Sequence, residues 1–570
     1  MSFMKLVAQK LQTVFPLSEE ELLLALETPA NEAFGDVAFP CFILAKKLKR
    51  SPQQIAAEFA PLAASDWWSV HAEGPYLNFK MNRPRLMKRW FDEQLSGNGG
   101  TPSVGGGKRV IIDMSSPNIA KPFGIGHLRS TMIGHALYRI LRKVGYETVS
   151  VNHLGDWGTQ FGKMIAAHLE WGHEIVAADD PIKAYLALYV KFHEEAKSRP
   201  ELELQAREWF ARLEAGDSQA LAYWNQFISD SKTEFQKLYD RLGVHFDYVL
   251  GESFYNDKMD AAADELERLG LLEESDGAMV VRLDEEELPP CIIKKSDGAS
   301  IYATRDLATA LYRHDVMKGD QLLYVVGSEQ SLHFRQLFLV LDRMGKPWAK
   351  QCKHVPFGLM RLNGQKMSTR KGQVVFLEDV LDEAVRHALL KINEKNPNLE
   401  RKLEVAEAVG IGAVVFGDLK HSRILEVDFN IADTVNFEGE TGPYVQYSYA
   451  RIQSLLRKAA RQYGDHSAGE INGTSPSDFT AVSSDYGWQL FKKLIAYPEA
   501  LRQAAERLEP SLLTRYLIDL AQSFNRFYHH ERIMTDNAED RQAKLKLAKA
   551  AGQRLQEGLQ LLGVQAPEEI

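Results

Sequence analysis

Ser115-Ser116-Pro117-Asn118-Ile119-Ala120-Lys121-Pro122-Phe123-Gly124-Ile125-Gly126-His127-Leu128-Arg129-Ser130-Thr131 follows an apolar run, Val110-Ile111-Ile112, and leads into a segment ending at Val144. In that segment Ile133, Ala136, Leu137, Ile140, Leu141 and Val144 recur at helical spacing. The pattern predicts a strand, a Gly-bearing turn and a helix. Such a turn is a phosphate site. Gly124 and Gly126 lack Cβ, so a nucleotide can approach the backbone, and the helix N-terminus offers unpaired N–H groups and partial positive charge. The His127 imidazole at that terminus can donate to phosphate oxygens as charge builds on them, an effect of roughly 10²-fold or more per well-placed donor. A second strand at Thr148 to Asn152, closed by Gly155-Asp156-Trp157-Gly158, completes a βαβ unit. That unit predicts a right-handed crossover and a parallel sheet.

Around this unit the chain is long enough for roughly three to four domains. Its 570 residues are 45% hydrophobic and 25% charged, an ordinary composition for a soluble protein. No apolar run approaches the roughly 18 residues of a membrane span, and Met1 to Leu11 lacks the apolar core of a signal peptide. A cytoplasmic protein without membrane association is expected. Cys41, Cys291 and Cys352 are widely separated, which supports neither a disulfide framework nor a zinc site. The formal charge of −9 argues against a general nucleic-acid binder and leaves room for a local basic face.

The fold expected is multidomain α/β. Residues 1–94 form a small α+β domain: Ser18-Glu19-Glu20-Glu21 reads as a capping box, Ser51-Pro52 opens another helix, and Tyr76-Leu77-Asn78-Phe79 is strand-like. Residues 95–107 are rich in glycine and read as a linker. Residues 108–380 form a Rossmann-like catalytic domain with a parallel sheet, interrupted by a charged helical insertion at about 170–288. The sheet is expected to resume at Cys291 to Ile293, Gln321 to Val326 and His354 to Leu362, the last delivering a loop at Lys366. Residues 381–429 read as a connecting helical segment. Residues 430–570 form an all-α bundle, with apolar faces through Leu513, Leu517, Leu520 and Phe524 and through Leu547, Ala551, Leu555 and Leu559.

The loop carries a second signature, Lys366-Met367-Ser368-Thr369-Arg370-Lys371-Gly372. Together the two stretches resemble the ATP-binding signatures of class I aminoacyl-tRNA synthetases. The resemblance narrows through Asn152-His153-Leu154-Gly155-Asp156-Trp157-Gly158-Thr159-Gln160-Phe161-Gly162, Tyr302-Ala303-Thr304-Arg305-Asp306, Gly327-Ser328-Glu329-Gln330 and Thr441-Gly442-Pro443-Tyr444-Val445-Gln446-Tyr447, which look like the arginyl-tRNA synthetase family. Two positions depart from the family pattern. Gly124 stands where the first histidine of His-x-Gly-His is usual, and Thr369 where the second lysine of Lys-Met-Ser-Lys-Ser is usual. In similar enzymes a lysine just upstream of the histidine signature supplies the missing charge, and Lys121 holds that place here.

The resemblance implies ATP-dependent attachment of L-arginine to tRNA(Arg) through an arginyl-adenylate, with ATP entering as its Mg²⁺ complex and no structural metal. Lys121, His127, Lys366 and Ser368 are the expected catalytic residues, with Gly124, Gly126 and Met367 completing the ATP site. Lys366 and Ser368 on a Gly-flanked loop suit a leaving pyrophosphate, because in-line phosphoryl chemistry asks chiefly for positioning and charge neutralisation. Arginine itself calls for a carboxylate that takes the guanidinium in two parallel hydrogen bonds. Asp306 is the candidate, and the likeness adds Tyr302, Gln330, Ser115 and Asn118 to the pocket. Asp306 could at the same time cap the helix Leu307 to Tyr312, and His153 and Asp156 read equally as site or as turn residues.

For RNA, Tyr444, Gln446, Tyr447 and Arg451 mix aromatics with positive charge on one predicted helix, and by likeness the bundle reads the anticodon loop. Tyr76, Asn78 and Phe79 are the N-terminal candidates for the tRNA elbow, with core packing as the equal alternative. A monomer is expected. A pantothenate-synthetase-like nucleotidyltransferase would share the ATP signatures but has no use for the two flanking domains. A non-catalytic tRNA-binding relative would have no need of phosphate donors at His127, Lys366 and Ser368.

Overall fold

The computed structural model describes residues 3–29, 31–95, 101–173, 180–295, 302–362, 375–464 and 478–570. The chain divides into two compact units. One comprises residues 102–447, 501–515 and 557–570; the other comprises residues 1–101, 448–500 and 516–556.

The first unit is built on five parallel strands: β1 (Arg109–Asp113), β2 (Glu147–Asn152), β3 (Tyr248–Val249), β4 (Gln321–Tyr324) and β5 (Cys352–His354). Their order across the sheet is β5-β4-β1-β2-β3. The chain therefore moves from β1 to one side through β2 and later returns on the other side at β4. The carboxyl ends of β1 and β4 form the switch point at which open α/β sheets bind ligands. Helix α1 (Ile125–Lys143) is the crossover from β1 to β2, and its apolar stripe, with Ile133, Leu137 and Ile140, is buried. Gly134 lets it close on the end of β1: a Cβ there would stand 2.3 Å from the Cβ of Met114.

Three expected features are corrected. Cys291–Lys294 joins no parallel sheet; it is the edge of a separate antiparallel sheet with Ala278–Val281 and Glu273–Ser275. A short run of alternating burial, with Cys291 and Ile293 inward and Ile292 outward, is the mark of an antiparallel strand with one face open to water. The single strand expected over His354 to Leu362 is two: β5, and β6 (Met360–Leu362), which pairs in parallel with β7 (Val427–Phe429). The helical insertion contains the helices Pro181–Glu195 and Glu201–Glu214 and the long α2 (Ser218–Leu242), but β3 interrupts it and the hairpin at 273–281 ends it. Gly105 to Gly107 form a built turn, with Gly105 N–H and Gly107 N–H donating to Val144 and Gly145 carbonyls, both at 2.9 Å. Two further helices follow β6, Leu377–Lys395 and α4 (Lys402–Leu419). They cross so closely that a Cβ on Gly410 would meet the Val385 backbone.

The second unit joins an antiparallel sheet, Val37–Pro40, Tyr76–Met81 and Trp68–Glu73, to helices from the C-terminal region. Ser18 and Ser51 cap their helices in reciprocal boxes with Glu21 and Gln54. Among the described residues no helix is long and apolar enough to cross a membrane.

Candidate active site

Between β1 and α1 the chain makes a tight, costly turn. Ser115, Ser116 and Ala120 have φ of 74°, 51° and 57°, the left-handed region that L-residues avoid at roughly 1–2 kcal/mol each. Each of the three amides is held by a side-chain oxygen from another element. Ser115 N–H donates to Ser130 Oγ at 3.0 Å, Ser116 N–H to Asn152 Oδ1 at 3.1 Å, and Ala120 N–H to Ser231 Oγ at 2.9 Å. Ser130 Oγ in turn donates to Val325 O at 2.7 Å, so one hydroxyl on α1 joins the ends of β1 and β4.

At the N-terminus of α1, His127 N–H donates to Gly124 O at 2.9 Å and His127 Nδ1 accepts from Gly124 N–H at 3.2 Å. Burial, with Lys121 acting in the same sense, holds the imidazole below its ordinary value against the opposing hydrogen bond to Gly124. The ring is therefore neutral with its proton on Nε2, a donor that does not change with pH above the ordinary histidine range. Gly126 is exposed, and a Cβ there would meet nothing within 4 Å. Lys121 Nζ lies over the Tyr189 ring at 5.6 Å.

Lys366, Met367 and Ser368 lie outside the described residues, but both flanks of their segment are fixed. β6 leads into it. On its trailing side Ile125 N–H donates to Val375 O at 3.1 Å, and Leu377 N–H to Phe123 O at 3.0 Å. Residues 375–377, which follow the second signature, are thus bonded to the turn that carries the first.

The expected arginine residues are placed less uniformly. Ser115 is buried, and its Oγ is engaged with Tyr239 Oη at 2.8 Å and Thr131 Oγ1 at 2.9 Å. Asn118 folds over Gly155, where a Cβ would stand 2.3 Å from its Oδ1. Tyr302 is 68% exposed, and Gln330 also lies on the surface. Asp306 begins the second turn of α3 (Tyr302–Asp315), with its Oδ2 2.6 Å from His333 Nε2.

Around Asp306 stand residues the sequence did not single out. Glu252 Oε2 lies 3.5 Å from Arg305 Nη1. Burial pushes the Glu252 carboxyl up to about 7, opposed by Arg305 and reinforced by Asp306 and Asp156. Arg313 and Asp113 form a buried pair at 2.8 Å. His153 Nδ1 is buried with no hydrogen-bond partner among the described residues. Asp156 proves to be a turn residue, accepting from Ser253 N–H at 2.8 Å and Ser253 Oγ at 2.7 Å. Asp306, Glu252 and Asp156 thus lie within electrostatic reach of one another, with Arg305 beside Glu252.

Three of the RNA candidates, Gln446, Phe79 and Asn78, are corrected. Gln446 is 0% exposed, and its Nε2 donates to Ala408 O at 3.0 Å and Gln565 O at 2.7 Å. Phe79 is 0% exposed and packs on Trp68 with ring centroids 6.2 Å apart. Both are core residues, because one face of each element must be apolar or satisfied inside. Asn78 is likewise buried, at 5% exposed, while Tyr76 is half-buried under an edge contact with Phe42. Tyr444 and Tyr447 are half-buried, Lys395 Nζ lying 4.9 Å from the Tyr447 ring, and Arg451 hydrogen-bonds Asn525 and covers the Tyr528 ring.

A parallel sheet with a glycine turn and histidine-capped helix at its switch point, followed by helical segments, is the architecture of class I aminoacyl-tRNA synthetases. Residues 93–431 match the family described as tRNA synthetases class I (R), catalytic domain. Residues 1–81 match Arginyl tRNA synthetase N terminal domain, and residues 445–570 match DALR anticodon binding domain. The chain is 48% identical to arginine–tRNA ligase 1 of Bacillus cereus over 99% of both chains, and 49% identical to arginine–tRNA ligase of Ligilactobacillus salivarius over 97% of both. It superposes on the solved Thermus thermophilus arginyl-tRNA synthetase with a TM-score of 0.79 and 25% identity, covering 100% of this chain and 99% of that one. The chain belongs to the arginyl-tRNA synthetase family of class I.

Proposed function

We propose that this chain attaches L-arginine to tRNA(Arg) in two steps, forming arginyl-adenylate from arginine and ATP and then passing the arginyl group to a ribose hydroxyl of the terminal adenosine. The observation that supports the reading is the hydrogen-bonded junction of Phe123 and Ile125 with Leu377 and Val375, which ties the segment following the second signature to the turn that carries the first. ATP enters as its Mg²⁺ complex, its α-phosphate approached by the Nε2–H of His127 and its charge shared by Lys121. Lys366 and Ser368 take the leaving pyrophosphate, with Met367 beside them. The open Cα face of Gly126 leaves room for the nucleotide.

Arginine lies with its guanidinium toward Asp306, whose field also reaches Glu252 and His153. Glu252 joins Asp306 in this reading, so two carboxylates meet one planar cation. Ser115 acts through Tyr239 as a scaffold, while Asn118, Tyr302 and Gln330 border the amino-acid end. Tyr76, Tyr444, Tyr447 and Arg451 remain the candidates for RNA contact. The protein works in the cytoplasm, as a monomer.

The deciding experiment offers each of the twenty amino acids with ATP, Mg²⁺ and total tRNA. Arginine alone should be esterified; charging with another amino acid, or none, overturns the reading.

A further inference from the structure

We infer that Arg129 and Asp418 form a positioning clamp that fixes β6, the strand leading into the Lys366 segment, against the helix carrying His127. The inference rests on the function proposed above and adds to it a device for holding that segment's leading side.

Arg129 lies two residues after His127 on α1, and residues two apart on a helix do not share a face. His127 caps the helix start, while the Arg129 guanidinium turns into the interior, where its side chain is 1% exposed and that of Asp418, at the end of α4, is 0% exposed. Nε stands 2.9 Å from Asp418 Oδ1. Nη1 donates to Gly358 O at 2.6 Å and to Leu425 O at 2.8 Å. One guanidinium thus ties together three segments distant in sequence.

Two of those segments cross where only glycine fits, since a Cβ on Gly358 would come within 2.5 Å of Leu425 O. Immediately beyond the crossing the chain pairs as β6 and β7, with Met360 opposite Val427 and Leu362 opposite Phe429. Residue 363 follows β6 directly. On the far side, Val375 and Leu377 are bonded to Ile125 and Phe123 at the start of α1. Both flanks of the Lys366 segment are therefore referred to one helix, the trailing flank by backbone hydrogen bonds and the leading flank by a buried charge.

Stability alone does not account for this charge. Burying an ion pair costs desolvation that apolar residues of similar volume avoid, and such replacements are often neutral or stabilising. The contact here is also imperfectly satisfied, with Arg129 Nε and Nη2 and both Asp418 oxygens lacking an aligned hydrogen-bond partner among the described residues. An apolar pair could fill the same space. It could not hold two carbonyl oxygens at a fixed distance from α1.

The test compares the parent with the Arg129→Met, Asp418→Leu double variant in arginine-dependent pyrophosphate exchange into ATP, tRNA present, alongside thermal melting. The expected result is a folded protein with arginine KM within about twofold of the parent and kcat lowered by about 10²-fold, the scale of an ångström-sized misplacement. On a Lys366→Ala background the same double change should lower kcat by less than about threefold, because both act through one segment. Parental kcat in the folded double variant, or full additivity with Lys366→Ala, overturns the clamp. Should the double variant fail to fold, Arg129→Lys decides. It keeps a positive charge there but has one nitrogen where the guanidinium uses two, so it cannot hold both carbonyls and Asp418 together; a comparable kcat loss supports the clamp and normal kcat rejects it. If the parent itself shows no arginine-dependent exchange, the proposed function falls instead.

Discussion

Glu252 takes up its proton at about 7 in the folded chain against an ordinary 4.5, chiefly because burial disfavours the carboxylate. The folded state therefore binds a proton between those values that the unfolded state has released. Its contribution to stability is present below about 4.5 and declines as pH rises toward 7, by a few kcal/mol at most. Arginine reverses the balance, since its guanidinium favours the ionised form. Arginine KM should consequently rise as pH falls below about 7, approaching tenfold per unit, and Glu252→Gln should flatten the profile. A KM independent of pH between about 5.5 and 8.5 in the parent would remove Glu252 from the pocket. The charged groups acting on it are Arg305, Asp306, Asp156 and Lys121. For Asp306 the expectation is sharper: Asp306→Asn should raise arginine KM by 10²-fold or more while the melting temperature stays put, because a bidentate charged acceptor is lost. Normal kinetics in that variant would reject the carboxylate. Asp306 could be proposed from the sequence because it sits in a block with a recognisable pattern. Glu252 and His333 were not, since nothing local marks them and their meaning arises only when residues from distant segments converge on Asp306.

At the scale of elements, β1, the glycine turn and α1 could be read directly, because a buried strand and a helix of regular apolar period leave different imprints. The short strands could not. Cys291–Lys294 and Met360–Leu362 are four and three residues long, too few to say which sheet they join, and their partners are set by the folded neighbours. Nor does sequence reveal why Gly134 lies mid-helix, where glycine is unfavourable by about 1 kcal/mol. The reason is the approach of α1 to Met114. Gly134→Ala should therefore destabilise the chain by roughly 1–3 kcal/mol despite its better helix propensity, with overpacking the cause. Met114→Ala keeps the Cβ that the new methyl would meet, so only Met114→Gly should offset part of that loss in the double variant. Urea unfolding of the four proteins gives the coupling, and a stabilising single Gly134→Ala change would show that the helix can withdraw.

Across the whole molecule the grouping of segments is the feature least visible in the sequence. Residues 1–101 share a unit with 448–500 and 516–556, so the N-terminal region and two stretches of the C-terminal region build one packed body. Periodicity identified each as a domain-sized run but carries no information on which runs share an interior. Within this unit Asp36 Oδ1 accepts from the Trp488 indole at 2.6 Å and Oδ2 accepts from Met81 N–H at 3.0 Å. Trp90 meets Phe491 edge-on with centroids 5.6 Å apart, and Arg554 Nη2 donates to Gln94 at 3.1 Å. Asp36→Ala leaves an indole N–H and a backbone N–H without their acceptor, at a cost of about 1–3 kcal/mol for each group that stays buried. The variant should unfold at lower urea, while arginine-dependent pyrophosphate exchange keeps a kcat within about twofold, because the residues proposed for adenylate formation all belong to the other unit. A loss of exchange as large as that expected for the Arg129 clamp, with the unfolding midpoint unmoved, would mean that the N-terminal region takes part in the chemistry and not in packing alone.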